Sequence, residues 1–122
     1  MGLFSSDEEV GFDEKRKKEN LKILKETDRL KEAIAYTFLI YGDLIKEKYE
    51  KPRQVYQTIR EYAITCVNKC GVEPSLIYPF VKQVEDIIYG GKEPTEKEFQ
   101  SALNNFSELY SEIMNKNFSL SE

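Results

Sequence analysis

The chain has 122 residues, 40% of them hydrophobic and 33% charged, with a formal net charge of −4. That length suits one domain able to bury a core without a disulfide or metal, and the charge balance lacks the basic footprint that drives nucleic-acid affinity. Histidine and tryptophan are absent and cysteine occurs twice, which excludes Ser-His-Asp and Cys-His nucleophile pairs and leaves no Cys₄ or Cys₂His₂ zinc site within one chain.

Residues 1–12 combine Gly2, Gly11, two serines and the acidic run Asp7-Glu8-Glu9 without a sustained period. They read as a flexible tail, with Leu3, Phe4 and Phe12 able to dock onto the folded part. From residue 13 to residue 49 the one helix-breaking residue is Gly42. Apolar or small residues recur at Ile23, Thr27, Leu30, Ile34, Phe38, Tyr41, Ile45 and Tyr49 in steps of three and four. This spacing predicts one long first helix. Its first half is polar around a thin stripe; residues 33–45 are apolar nearly all round and belong at the centre of the core. Pro52 ends it.

Thr58-Ile59-Arg60-Glu61 has the form of a capping box and predicts a helix over 59–69. Its apolar set is Tyr62, Ala63, Cys66, Val67 and Cys70, with Gly71 as its stop. Val55 and Tyr56, just before it, are expected to fold back onto the core. Pro74 and Ser75 open the next helix, and Pro79 is placed in its first turn, where a missing N–H costs nothing. Phe80, Val81, Val84, Ile87 and Ile88 form its apolar face, and Gly90-Gly91 closes it. Thr95-Glu96-Lys97-Glu98 is a second capping box. Phe99, Ala102, Leu103, Phe106, Leu109, Tyr110 and Ile113 follow at helical spacing, and residues 119–122 are expected to fray. No run alternates as a strand does. The expectation is an all-α domain over 13–118: a four-helix bundle-like fold with a long first helix.

Three stretches carry a resemblance to a known family: Ala35-Tyr36 with Tyr41-Gly42, Thr58-Ile59-Arg60-Glu61-Tyr62-Ala63, and Tyr89-Gly90-Gly91-Lys92-Glu93-Pro94-Thr95. Over residues 33–103 the chain resembles the uncharacterised C-terminal helical domain of archaeal and bacterial membrane proteins that often follows a transglutaminase-like domain and transmembrane helices. Ile59 stands where that family usually has Pro, and Ile88 where it usually has Arg. The resemblance implies a helical module on the cytoplasmic side of a membrane system, with no assigned catalysis.

The candidate sites are few. Cys66 and Cys70, four apart on one helix face, would suit a redox pair or half a shared metal site; two small buried hydrophobes is the plainer reading. The basic run Lys15, Arg16, Lys17, Lys18 would suit anionic lipid or nucleic acid, but Glu14 and Glu19 flank it, as on an ordinary solvated face. Met1-Gly2-Leu3-Phe4-Ser5-Ser6 fits the loose myristoylation pattern, a modification foreign to bacterial and archaeal proteins. The pairs Glu96/Glu98, Asp43/Glu47 and Glu108/Glu112 would suit acid–base work or a hard cation, but a di-metal bundle also wants histidine. Asp86 is assigned Arg60 as an ion-pair partner across the bundle. The aromatic content of 12% is the informative feature, because an exposed aromatic face would mark a binding surface.

The expected function is a non-catalytic protein-interaction module, not an enzyme, without a cofactor or metal. Tyr36, Tyr41, Tyr56, Tyr89, Lys15, Arg16, Lys17 and Lys18 are its candidate interaction residues, and its expected partner is a protein rather than nucleic acid. The alternatives are a membrane-surface accessory domain of a transglutaminase-like or transport system and a small-ligand-binding bundle. The longest apolar run is far shorter than the roughly 20 residues of a membrane span, so the expected location is the cytoplasm, with the inner membrane face as the second place.

Overall fold

The computed structural model describes residues 14–91, 93–115 and 118; the expected tail at 1–12 and frayed end at 119–122 lie outside them. Among the described residues the protein is all-helical. Helix α1 spans Glu14–Glu26, α2 Leu30–Tyr49 and α3 Ile59–Thr65, which runs on into a π-helical turn, Cys66–Cys70. Helix α4 spans Pro74–Tyr89 and α5 Glu96–Met114.

The expected long first helix is two helices. Helix α1 stops in a Schellman arrangement: the Asp28 N–H donates to Lys25 O at 3.1 Å and the Arg29 N–H to Leu24 O at 2.9 Å. Asp28 takes the left-handed backbone, φ 62°, that glycine usually supplies at such a stop. The chain then doubles back, so that Lys17 Nζ meets Asp43 Oδ2 at 2.9 Å and Asn20 Nδ2 donates to Tyr36 Oη at 3.0 Å. This antiparallel hairpin shifts the register of the apolar stripe. Leu21 is buried, whereas Ile23 is 57% exposed. Gly42, the residue with the best breaking propensity in the region, sits inside α2 without interrupting it.

Helix α2 is the central element, packed against α1, α4 and α5, while α4 also contacts α3 and α5. Its residues Ala33, Ile34, Thr37, Phe38, Ile40, Tyr41, Leu44 and Ile45 are buried. The Thr37 hydroxyl is satisfied by donating to Ile34 O at 2.6 Å. All seven apolar residues expected along α5 are buried. Fully burying a side chain such as Phe99, Phe106 or Leu109 stabilises by roughly 1.5–3 kcal/mol.

Both capping boxes form. The Thr58 and Thr95 hydroxyls accept from the Glu61 and Glu98 N–H groups at 3.0 and 3.1 Å, and each glutamate accepts from the N–H of its threonine. Gly71, at φ 75°, ends the π turn by donating to Cys66 O. Gly90 ends α4 where a Cβ would come within 2.2 Å of Asp86 O.

Two local expectations are overturned. Pro79 lies inside α4, not in its first turn; Pro74 opens the helix instead, and Pro79 removes the N–H that would bond the Ser75 carbonyl four residues back. Val55 and Tyr56 do not return to the core: they are 98% and 79% exposed. Their turn is held by its own polar groups, with the Gln54 N–H donating to Gln57 Oε1 at 2.9 Å and the Gln57 N–H to Gln54 O at 3.0 Å.

Candidate functional site

The interior is aromatic from end to end. Ring centroids step from Phe38 to Tyr41 at 6.0 Å, from Tyr41 to Phe80 at 6.4 Å, from Phe80 to Phe106 at 5.9 Å and from Phe106 to Phe118 at 5.0 Å. Tyr62 joins this run edge-on to Phe38 and Tyr41. These separations lie in the range where tilted and edge-to-face rings attract. Most of the described aromatic side chains are therefore core.

Tyr41, a candidate for a binding face, belongs to that core and is fully buried. Its hydroxyl makes no hydrogen bond of good geometry among the described residues, and its polar neighbour is the Cys66 thiol. Burial raises the Tyr41 and Tyr62 hydroxyls well above their ordinary range, with Cys66 adding to the effect. Burial also pushes the Cys66 thiol up to about 11 against the opposing influence of the neighbouring Tyr41 hydroxyl, and it raises Cys70. Both cysteines are free thiols, Cys66 buried and Cys70 partly exposed. A reactive thiol needs a lowered pKa, and both shifts run the other way.

The basic run is divided among several contacts. Lys17 pairs with Asp43, and Lys18 pairs with Glu14 at 3.2 Å while lying 5.3 Å from the centroid of the Phe118 ring. Lys15 and Arg16 are exposed. The expected Arg60–Asp86 pair is absent: Arg60 Nη2 bonds Glu85 Oε1 at 2.8 Å and stacks over Tyr78, and Asp86 pairs with Lys82 along its own helix. Of the carboxylate pairs, Asp43 is committed to Lys17, and Glu98 accepts from the Thr95 N–H in its cap. No group of three or more metal-ligating side chains occurs among the described residues.

The structure brings other residues together. A surface groove of about 510 Å³ lies between one side of α2, the chain after it, the start of α3 and the end of α4. Phe38, Ile59 and Tyr62 are its buried apolar residues, and Ala35, Leu39, Gly42, Pro52, Ile88 and Tyr89 complete its apolar lining. Its charged residues are Asp43, Lys46 and Arg53. Leu39 and Tyr89 remain 60% and 70% exposed. Tyr62 is fixed from behind, its hydroxyl donating to Lys51 O at 2.8 Å.

Of the candidate tyrosines, only Tyr89 lines this groove. Tyr56 projects from the turn that follows Arg53, and Tyr36 is half-buried and bonded to Asn20. Leu39, Lys46 and Arg53 were not among the candidate residues, and Gly42 was singled out only as a helix breaker and in the family resemblance. The available signal was Leu39: in a helix apolar on nearly every side, some apolar residue must face outward unless another element covers it.

No helix among the described residues is long and apolar enough to cross a membrane. Comparison with family models, with curated proteins and with solved structures finds no match.

Proposed function

We propose that the protein is a non-catalytic interaction module whose groove between α2, α3 and α4 takes a short segment of a partner protein carrying apolar anchors and acidic flanks. One observation carries this reading: Leu39 and Tyr89, large apolar side chains more than half exposed, line the same groove over a buried aromatic base. Exposed apolar side chains gathered around a concavity are the usual mark of a binding site, whereas scattered ones are not. Lys46 and Arg53 supply positive charge at its edge, while Asp43 is already neutralised by Lys17.

Catalysis finds less support. In the described core the Thr37 hydroxyl is spent on its own helix, and burial holds the Cys66 thiol and the Tyr41 and Tyr62 hydroxyls in their protonated forms, so none is poised as an acid, base or nucleophile. A small apolar ligand is the competing occupant, since ligand sites commonly fall within roughly 300–1,000 Å³. A place at the inner face of a transglutaminase-like membrane system rests on the resemblance over residues 33–103 alone, and Lys17 and Lys18, with intramolecular partners, add nothing to it.

The test is retention of a protein partner from the native cell extract by the whole chain and by three variants. Leu39→Glu and Tyr89→Ala are expected to lose the partner that the parent retains. Ile23→Glu, on the exposed side of α1, is expected to keep it. Equal retention by all four proteins, each with the parent's circular dichroism, would sink the reading.

A further inference from the structure

The face that carries the groove also carries a plug for it. We propose that two copies of the chain associate about a two-fold axis, the turn bearing Val55 and Tyr56 of each copy seated in the groove between α2, α3 and α4 of the other. The proposal rests on the reading of that groove as an interaction surface and names its occupant while no tighter partner is bound.

Three observations carry it. The first is exposure. Val55 and Tyr56 stand almost wholly in solvent, yet their turn is fixed by the hydrogen bonds between Gln54 and Gln57 and by Gln57 Nε2 donating to Thr65 Oγ1 at 3.0 Å. Apolar side chains held out in this way stabilise nothing within one chain and contribute only on meeting a second surface. The second is placement. Arg53 and Ile59, which bracket the turn in sequence, both line the groove, so plug and groove share one face. Two copies set face to face about a two-fold axis exchange plugs, each contact occurs twice, and the pair closes on itself. A plug on the far side would build an open chain instead. The third is area. A tyrosine can bury roughly 150–250 Å². With Tyr56, Tyr89, Val55 and Leu39 all largely exposed in each copy, pairing covers on the order of 1,000 Å². Complexes below about 1,200 Å² are weak and transient. Lys46 and Arg53, present twice across the apposed faces and without a carboxylate partner among the described residues, weaken the pair further. A partner segment with acidic flanks neutralises both cations and displaces the second copy.

The test is sedimentation of the whole chain from micromolar to millimolar concentration, under reducing conditions that keep Cys66 and Cys70 as free thiols. The expected result is a monomer–dimer equilibrium with no larger species. Tyr56→Ser and Leu39→Glu, both at exposed positions, should each weaken it by about 30-fold, as truncation of a central interface side chain does. Ile23→Glu should leave it unchanged. A monomer at every concentration, assemblies that keep growing with concentration, or dimerisation that Tyr56→Ser does not weaken or Ile23→Glu abolishes overturns the proposal. A photoreactive amino acid at position 56 fixes the contact. Adducts of twice the chain's mass should join position 56 to residues 35–46 or 88–89, and adducts of that mass joined elsewhere overturn it. Tyr56 does not line the groove, so the two claims fail separately. If Tyr56→Ser self-associates as the parent does while Leu39→Glu loses the outside partner, the pairing fails and the interaction surface stands. If Leu39→Glu is monomeric yet retains every outside partner, the reverse holds.

Discussion

Tyr41 and Tyr62 are neighbouring buried tyrosines, with centroids 6.2 Å apart, and their hydroxyls have different standing. Tyr62 donates to Lys51 O, whereas Tyr41 has no hydrogen bond of good geometry among the described residues. Removing a bonded hydroxyl costs about 1 kcal/mol, while removing a buried one that lacks a good partner is neutral or stabilising because no desolvation has to be offset. Tyr62→Phe is thus expected to lower unfolding free energy by about 1 kcal/mol, and Tyr41→Phe to leave it unchanged or raise it, in urea denaturation. The same cluster sets an alkaline limit. Cys66 titrates near 9.0 when unfolded and near 11 when buried. Its contribution to stability is therefore complete below pH 9 and is lost as pH rises from there through 11. Tyr41, Tyr62 and Tyr110, all raised from 10.0, add to that loss above pH 10. The urea midpoint should be flat through neutral pH and fall above pH 9; Cys66→Ala should remove the first part of that fall.

At the scale of elements, Gly42 joins stability to function. It sits in the interior of α2, where glycine costs roughly 0.5–1 kcal/mol relative to alanine. A Cβ there would meet nothing within 4 Å, because the space beside it is the groove. Gly42→Ala is expected to raise the urea midpoint while weakening partner retention, since its methyl narrows the groove; a gain in both would contradict the proposed occupancy. The helix stops show why some elements were legible in sequence and others were not. The starts of α3 and α5 were readable because Thr58/Glu61 and Thr95/Glu98 place a cap acceptor and its reciprocal carboxylate at fixed spacing. The stop of α1 was not, because Asp28 takes the left-handed position expected of glycine, as Glu50 and Asn115 do at the ends of α2 and α5. Those conformations cost of order 1 kcal/mol each locally, and here the stop of α1 is held by the packing of the α1–α2 hairpin, which no local pattern records.

For the whole molecule, the all-helical class and most of the core followed from three-and-four spacing, since a helix in water must cover its apolar stripe. Which apolar residues stay uncovered depends on how the helices meet. Leu39 and Tyr41 lie two positions apart on α2, one 60% exposed and the other fully buried, and nothing in their immediate sequence separates them. The folding back of α1 covers one flank of α2 and leaves the adjacent flank, with Ala35, Leu39, Gly42 and Lys46, as a wall of the groove. The candidate site is therefore a product of assembly, which is why Tyr89 alone of the proposed tyrosines falls on it. Ile23 and Leu39 provide a matched comparison for this account, being aliphatic, helical and 57% and 60% exposed, one away from the groove and one lining it. The most direct measurement is photo-crosslinking in the native cell, with a photoreactive amino acid placed at Leu39 in one protein and at Ile23 in another. The account predicts a discrete protein adduct from position 39 and none from position 23. Equal adducts from both positions, or none from position 39, would contradict it.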